Sequence, residues 1–144
     1  MAIAQALGEL AFDTNGPGFV DITRDIGVWL RTNAAGDGLV TVFIRHTSAS
    51  LTIQENADPS VQVDLANALD RMAPRTIIYH HDTEGPDDMP AHIRAMLTAT
   101  SLQIPVRKGD MALGTWQAIY LVEHRDAPHV RTIALHFAGE VGLG

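Results

Sequence analysis

Three β-type segments follow one another in the last third of the chain, Ser101 to Arg107, Met111 to His124 and Val130 to Phe137. The links between them, Lys108-Gly109-Asp110 and Asp126-Ala127-Pro128, are compact turns. Parallel neighbours need a crossover of about a dozen residues, so these segments are expected to pair antiparallel. Upstream, Leu39 to Arg45 (LVTVFIR) is rich in β-branched and aromatic residues and reads as a buried strand that ends at His46. Ile3 to Phe12, Phe19 to Ile22 and Ser50 to Gln54 are further strand segments, and Asn15-Gly16-Pro17-Gly18 turns the chain between the first two. Helical spacing of Ile26, Trp29 and Leu30 predicts a helix over 23–35 with Thr23 as N-cap, stopped by Gly36-Asp37-Gly38. Asp58-Pro59 opens a second helix with the apolar stripe Val61, Leu65, Leu69 and Met72, and Pro90 opens a short third one through Ala99 with His92 on its first turn. Helices interspersed among antiparallel strands favour an α+β fold over a doubly wound parallel sheet.

The 144 residues and their 46% hydrophobic content suit a single domain spanning 1–144. With no cysteine, any metal has to be held by nitrogen and oxygen, and thiol nucleophiles are excluded. Met1 to Leu10 lacks the basic start of a secretory signal, and no apolar run approaches the roughly 18 residues that span a bilayer, so a cytoplasmic protein with no membrane partner is expected. The formal charge of −7 and the lone lysine, Lys108, argue against nucleic acid as a partner. A small phosphorylated molecule remains compatible wherever arginines or a metal converge.

Seven histidines stand at 46, 80, 81, 92, 124, 129 and 136. His46 lies where a buried strand meets the polar Thr47-Ser48-Ala49-Ser50, a sheet edge at which ligands commonly bind; a structural histidine with one hydrogen-bond partner would look the same. His80 and His81 point to opposite sides of an extended chain, so at most one joins a given site. They open the acidic, turn-rich segment His80 to Asp88, which reads either as a solvated loop or as the shell of a metal, with Asp82, Glu84 and Asp87 at hand to orient imidazoles. His124 ends a strand beside Glu123 and Arg125, whereas His129 and His136 read as structural. Nucleotide-binding glycine loops, HExxH and GxSxG are all missing.

HTSASLTIQENADPSV from His46, HDTEGPDDMPAHI from His81 and KGDMALGTWQAIYLVEHR from Lys108 resemble the signature blocks of the YjbQ family, also known as secondary thiamine-phosphate synthase enzymes. The likeness runs from the N-terminal strand to Gly139-Glu140. It implies a largely antiparallel β-sheet or sandwich with flanking helices, a homotrimer, and His46, His81 and His92 as ligands of a divalent metal, zinc or magnesium. His124, in the EHR pattern, ranks behind these three. The activity implied is the joining of a hydroxymethylpyrimidine diphosphate to a thiazole phosphate: the thiazole nitrogen attacks the pyrimidine methylene and diphosphate leaves. On that reading Arg125, with Arg45 and Arg94, neutralises the diphosphate, and Thr47, Ser48, Arg94, Trp116 and Gln117 contact the substrate. Two alternatives stay open. One is a non-catalytic metal or small-ligand binding protein. The other is a metal-assisted hydrolase with Glu55, Glu84 or Glu123 as general base.

Overall fold

The computed structural model describes residues 2 to 142; Met1, Leu143 and Gly144 of the expected 1–144 domain lie outside the described residues. The elements run β1 (Ile3–Asn15), β2 (Gly18–Asp21), α1 (Thr23–Thr32), β3 (Ala35–Ile44), β4 (Ala49–Glu55), α2 (Pro59–Met72), α3 (Asp88–Leu97), β5 (Ser101–Arg107), β6 (Asp110–Met111), β7 (Gln117–Glu123) and β8 (Pro128–Val141). They form a five-stranded sheet of order β1-β8-β3-β5-β6 and a three-stranded sheet of order β2-β7-β4, with every strand pair antiparallel. The fold is α+β, as expected.

Period-two alternation turns Val40, Val42 and Ile44 of β3, Ile133, Leu135 and Phe137 of β8, and Ile104 and Val106 of β5 inward from the large sheet. Leu51, Ile119 and Leu121 of the small sheet join them, with Ile22 and Ile26 and Leu30 of α1, in one buried cluster. Each such side chain contributes about 1.5–3 kcal/mol of burial free energy. The opposite face of the small sheet lies beside α2 and α3, where Phe19, Ser50 and Val122 share a row of the register.

Two connections differ from expectation. The predicted strand from Met111 to His124 is broken: β6 holds two residues, and a turn closed by Gln117 N–H to Gly114 O (3.0 Å) carries the chain into the small sheet. Asp126-Ala127-Pro128 therefore passes from one sheet to the other instead of joining neighbours. Asp58 caps α2 as expected, its Oδ1 accepting from the Ser60 amide at 2.9 Å. Helix α3, in contrast, starts at Asp88, before Pro90, because amides in a first helical turn have no intrahelical acceptor to lose. Among the described residues no helix is long and apolar enough to cross a membrane.

Gly38 and Gly139 face each other in the β3–β8 pair, and a Cβ on either would overlap a backbone carbonyl oxygen, of Ala138 and Asp37 respectively. Gly38→Ala and Gly139→Ala are each expected to destabilise by about 2 kcal/mol, seen as a lower urea midpoint with unchanged slope. Gly27→Ala in α1, where a Cβ meets only the Arg31 side chain at 3.7 Å, is expected to stabilise by about 0.5–1 kcal/mol.

Candidate metal centre

Asp88 and His92 stand one turn apart on α3, so their side chains meet on one face of the helix. Asp88 Oδ1 lies 3.5 Å from His92 Nε2, and Oδ2 lies 2.6 Å from His81 Nε2. One ligand atom from each of the three lies within 4.8 Å of the others. The carboxylate forms a buried floor, 2% exposed, whereas the His81 side chain is 47% exposed, leaving the cluster open on the imidazole side. Of the adjacent pair His80-His81, His81 enters this cluster.

The protonation of His92 follows from its neighbours. Its Nδ1 lies 3.0 Å from the carbonyl oxygen of Thr47, which can only accept, so Nδ1 carries the hydrogen. In the neutral ring Nε2 is then a lone pair, and it faces a carboxylate oxygen, a second acceptor. A cation placed between these two acceptors would be held by both.

Arg125 fixes the floor. Its Nε donates to Asp87 Oδ2, Nη1 to Asp88 Oδ1 and Nη2 to the Glu84 carbonyl, each at 2.9 Å. Asp87 also accepts from the Asp126 amide at 2.9 Å, and Arg75 holds the Asp126 carboxylate with both terminal nitrogens. Burial disfavours ionised Asp88, but the bond from His81 and the charges of His92 and Arg125 outweigh it and hold its carboxyl below the usual range. Beside His81 is a cavity of about 340 Å³, lined among others by Arg75, Tyr79, Asp82 and Met89.

The other predicted residues separate into two groups. His46 lies outside the cluster, and its Nε2 accepts the Thr132 amide at 2.8 Å. Thr47 contributes its carbonyl to His92, and Ser48 Oγ accepts from Arg131 Nη2 at 3.0 Å. Glu84 Oε2 is 4.0 Å from His81 Nε2 on an exposed side chain. Glu123 is buried and fully engaged, accepting from Arg131, Thr14 and the amides of His124 and Arg125, so no free lone pair remains for a base. Arg94 lies buried on α3 and donates to Asp70 Oδ1 at 2.8 Å, whereas Arg45 is an exposed partner of Glu9. Glu55, Trp116 and Gln117 sit at the far end of the small sheet. Ala49 pairs Glu123 at one end and Glu55 pairs Gln117 six residues on, about 20 Å away, so these three do not reach the cluster within one chain.

Two features escaped sequence reasoning. In sequence Asp88 is one acid among several, and its spacing of four from His92 becomes a signal only because α3 starts before Pro90. The second is a buried hydroxyl–imidazole contact, Ser50 Oγ to His124 Nε2 at 2.8 Å, between residues 74 apart in sequence. Burial, then the charges of Arg94 and Arg131 working against Glu123, lowers the His124 pKa to about 4. The unfolded chain, whose histidines titrate near about 6.5, binds the proton more readily, so this contribution is complete above that pH and is lost as pH falls towards about 4. Urea titrations are expected to show a loss on the order of 3 kcal/mol over that window, and His124→Asn should flatten it.

A family model described as UPF0047 protein YjbQ-like matches residues 8–140. A UPF0047 protein of Synechocystis is 48% identical over 133 residues, covering 92% of this chain and 90% of its own length. The UPF0047 protein YjbQ of Salmonella typhimurium is 46% identical over 103 residues, covering 72% of this chain and 75% of its own. Among solved structures, a YjbQ/UPF0047 family protein of Clostridium acetobutylicum superimposes with a TM-score of 0.83 at 38% identity, covering 90% of this chain and 98% of that one. A YbjQ-like protein of Sulfolobus solfataricus shares the fold with a TM-score of 0.89 at 22% identity, covering 96% and 100%. With its sequence blocks and its sheet architecture both matched along nearly their whole length, this chain belongs to the UPF0047/YjbQ family.

Proposed function

We propose that the protein is a metal-dependent transferase of the secondary thiamine-phosphate synthase type, with His81, Asp88 and His92 as ligands of one divalent ion. The observation that carries the metal is the pair of facing acceptors, His92 Nε2 and Asp88 Oδ1, 3.5 Å apart. The donor set fits: two imidazole nitrogens and a carboxylate oxygen suit zinc better than magnesium, which prefers oxygen and water. The 2.6 Å between His81 and Asp88 is a hydrogen-bond distance, so loading would need the half-exposed His81 imidazole to move outward to admit the ion. In this reading His46 is not a ligand, because its Nε2 is taken by the Thr132 amide.

When bound, such an ion supplies Lewis-acid stabilisation for the departing diphosphate. The chain's own residues do the rest: Arg125 holds Asp87 and Asp88 in place, the Thr47 carbonyl fixes the His92 tautomer, and Arg75 places a cation in the wall of the cavity beside His81. The bond formed joins the thiazole nitrogen to the pyrimidine methylene carbon, and the bond broken joins that carbon to the diphosphate oxygen.

Metal analysis after identical dialysis is expected to show at least tenfold less metal in His81→Ala, Asp88→Ala and His92→Ala than in His129→Ala and His136→Ala. The metal-loaded protein should turn over the two precursors above background, and the first three variants should not. Equal metal content throughout would remove the centre from this place. Normal loading with background product alone would leave a metal-binding protein and end the synthase reading.

The family resemblance also leads us to propose a homotrimer. The outer face of the large sheet supports it, with Leu7 of β1 and Leu39 and Phe43 of β3 exposed on either side of β8. Light scattering at micromolar concentration is expected to return three times the chain mass of 15.6 kDa, and a monomer mass would count against it.

A further inference from the structure

We propose that the cleft beneath α2 binds a small linear carboxylate, with its head on the guanidinium of Arg94 and its chain along the apolar wall of the helix. The site shares the Arg75 side chain with the cavity beside His81 but holds none of the histidine cluster's ligands, and it does not depend on a metal.

The first observation is an unfilled layer. Helix α2 carries Leu65, Leu69 and Met72 at helical spacing, yet none of its residues is buried, whereas the shorter α1 buries Ile26 and Leu30. Between α2 and the small sheet lie two neighbouring cavities of about 320 and 280 Å³ with Phe19 and Leu69 in the walls of both, and together they line a cleft under the helix. One end is lined by Arg75, Arg94 and His124, and the other by Leu65, Met72 and Leu97. From Leu65 to Met72 the helical wall runs about 10 Å, room for a chain of about eight carbons.

The second observation is independent. Arg94 is 8% exposed, and its Nε is buried with no hydrogen-bond partner, alone in this among the side-chain nitrogens and oxygens of the described residues. A buried donor left without a partner loses its hydration with no bond in exchange, so a ligand that supplies an acceptor there is favoured. Nε and Nη2 share the edge of the guanidinium that receives a carboxylate with two parallel bonds. Asp70 uses only half of that edge: one of its oxygens accepts from Nη2 at 2.8 Å, and its side chain is 64% exposed. A ligand carboxylate that displaces Asp70 into solvent takes both donors. Glu123 also lines this end but is occupied by Arg131 and Thr14, and Arg75 adds a second cation.

Isotope-labelled full-length protein titrated with octanoate provides the test, with 1-octanol and octylamine as head-group controls. Octanoate is expected to saturate, to shift the amides of Phe19, Leu69 and Thr98, and to leave that of His81 unmoved; octanol and octylamine should bind at least about tenfold more weakly. Arg94→Lys keeps the charge but loses the two-donor edge, and Leu69→Asn, at a half-buried position where refolding of the core is not at issue, removes the apolar junction; each should weaken octanoate at least about fivefold. No saturation by about 10 mM, equal binding of octanol, shifts elsewhere in the chain, or full affinity in either variant overturns the proposal. Loss of metal binding in the histidine variants would leave all of these readings unchanged.

Discussion

The buried ion pair between Glu123 and Arg131 is the constraint on which the rest of this structure leans. Glu123 ends β7 in the small sheet and Arg131 lies in β8 of the large one, with side chains 1% and 3% exposed. Thr14 of β1 and Ser48 before β4 complete the knot, so four segments from both sheets meet at one carboxylate and one guanidinium. Burial opposes the charge on Glu123, and the bonds from Arg131 and Thr14 outweigh it, so its carboxyl stays ionised below the usual range. Removing either partner would strand a buried charge, at about 3–5 kcal/mol.

That knot also sets the direction in which the next two residues leave the strand. Glu123 Oε2 accepts from the amides of His124 and Arg125, which turns His124 inward onto Ser50 and sends Arg125 out onto Asp87 and Asp88. The acidic loop is thereby tied to the sheet through Arg125, and α3 begins where that tie ends. The candidate metal centre and the cleft under α2 thus lie on different sides of α3, with His92 serving one and Arg94 the other. Residues two apart on a helix are about 200° apart around its axis, which explains how neighbours in sequence serve unrelated surroundings.

Much of the fold was legible. The β-branched run at Leu39 to Arg45, the cap at Asp58 and the stripe on α2 are local signals, and each was found at or near its expected place. The family blocks led to the family. The misread places were those where a local signal met a tertiary one. Pro90 looks like a helix start, but the burial of Asp88 against Arg125 draws the first turn back by two residues. The segment Met111 to His124 has strand composition throughout, yet a turn divides it between two sheets.

The sequence by itself determined which residues alternate inward, that Asp58 caps α2, that any metal would be met by nitrogen and oxygen, and which family the chain resembles, because these depend on residue type and spacing alone. Only the tertiary structure decided which donors converge. His81 and His92 meet at Asp88, whereas His46, in the most conspicuous motif, spends its Nε2 on the backbone of β8. Glu55, Trp116 and Gln117 end up a sheet length from Glu123. The reason is that convergence depends on strand register and on which partner a buried polar atom finds, and both are set by contacts between segments far apart in the chain.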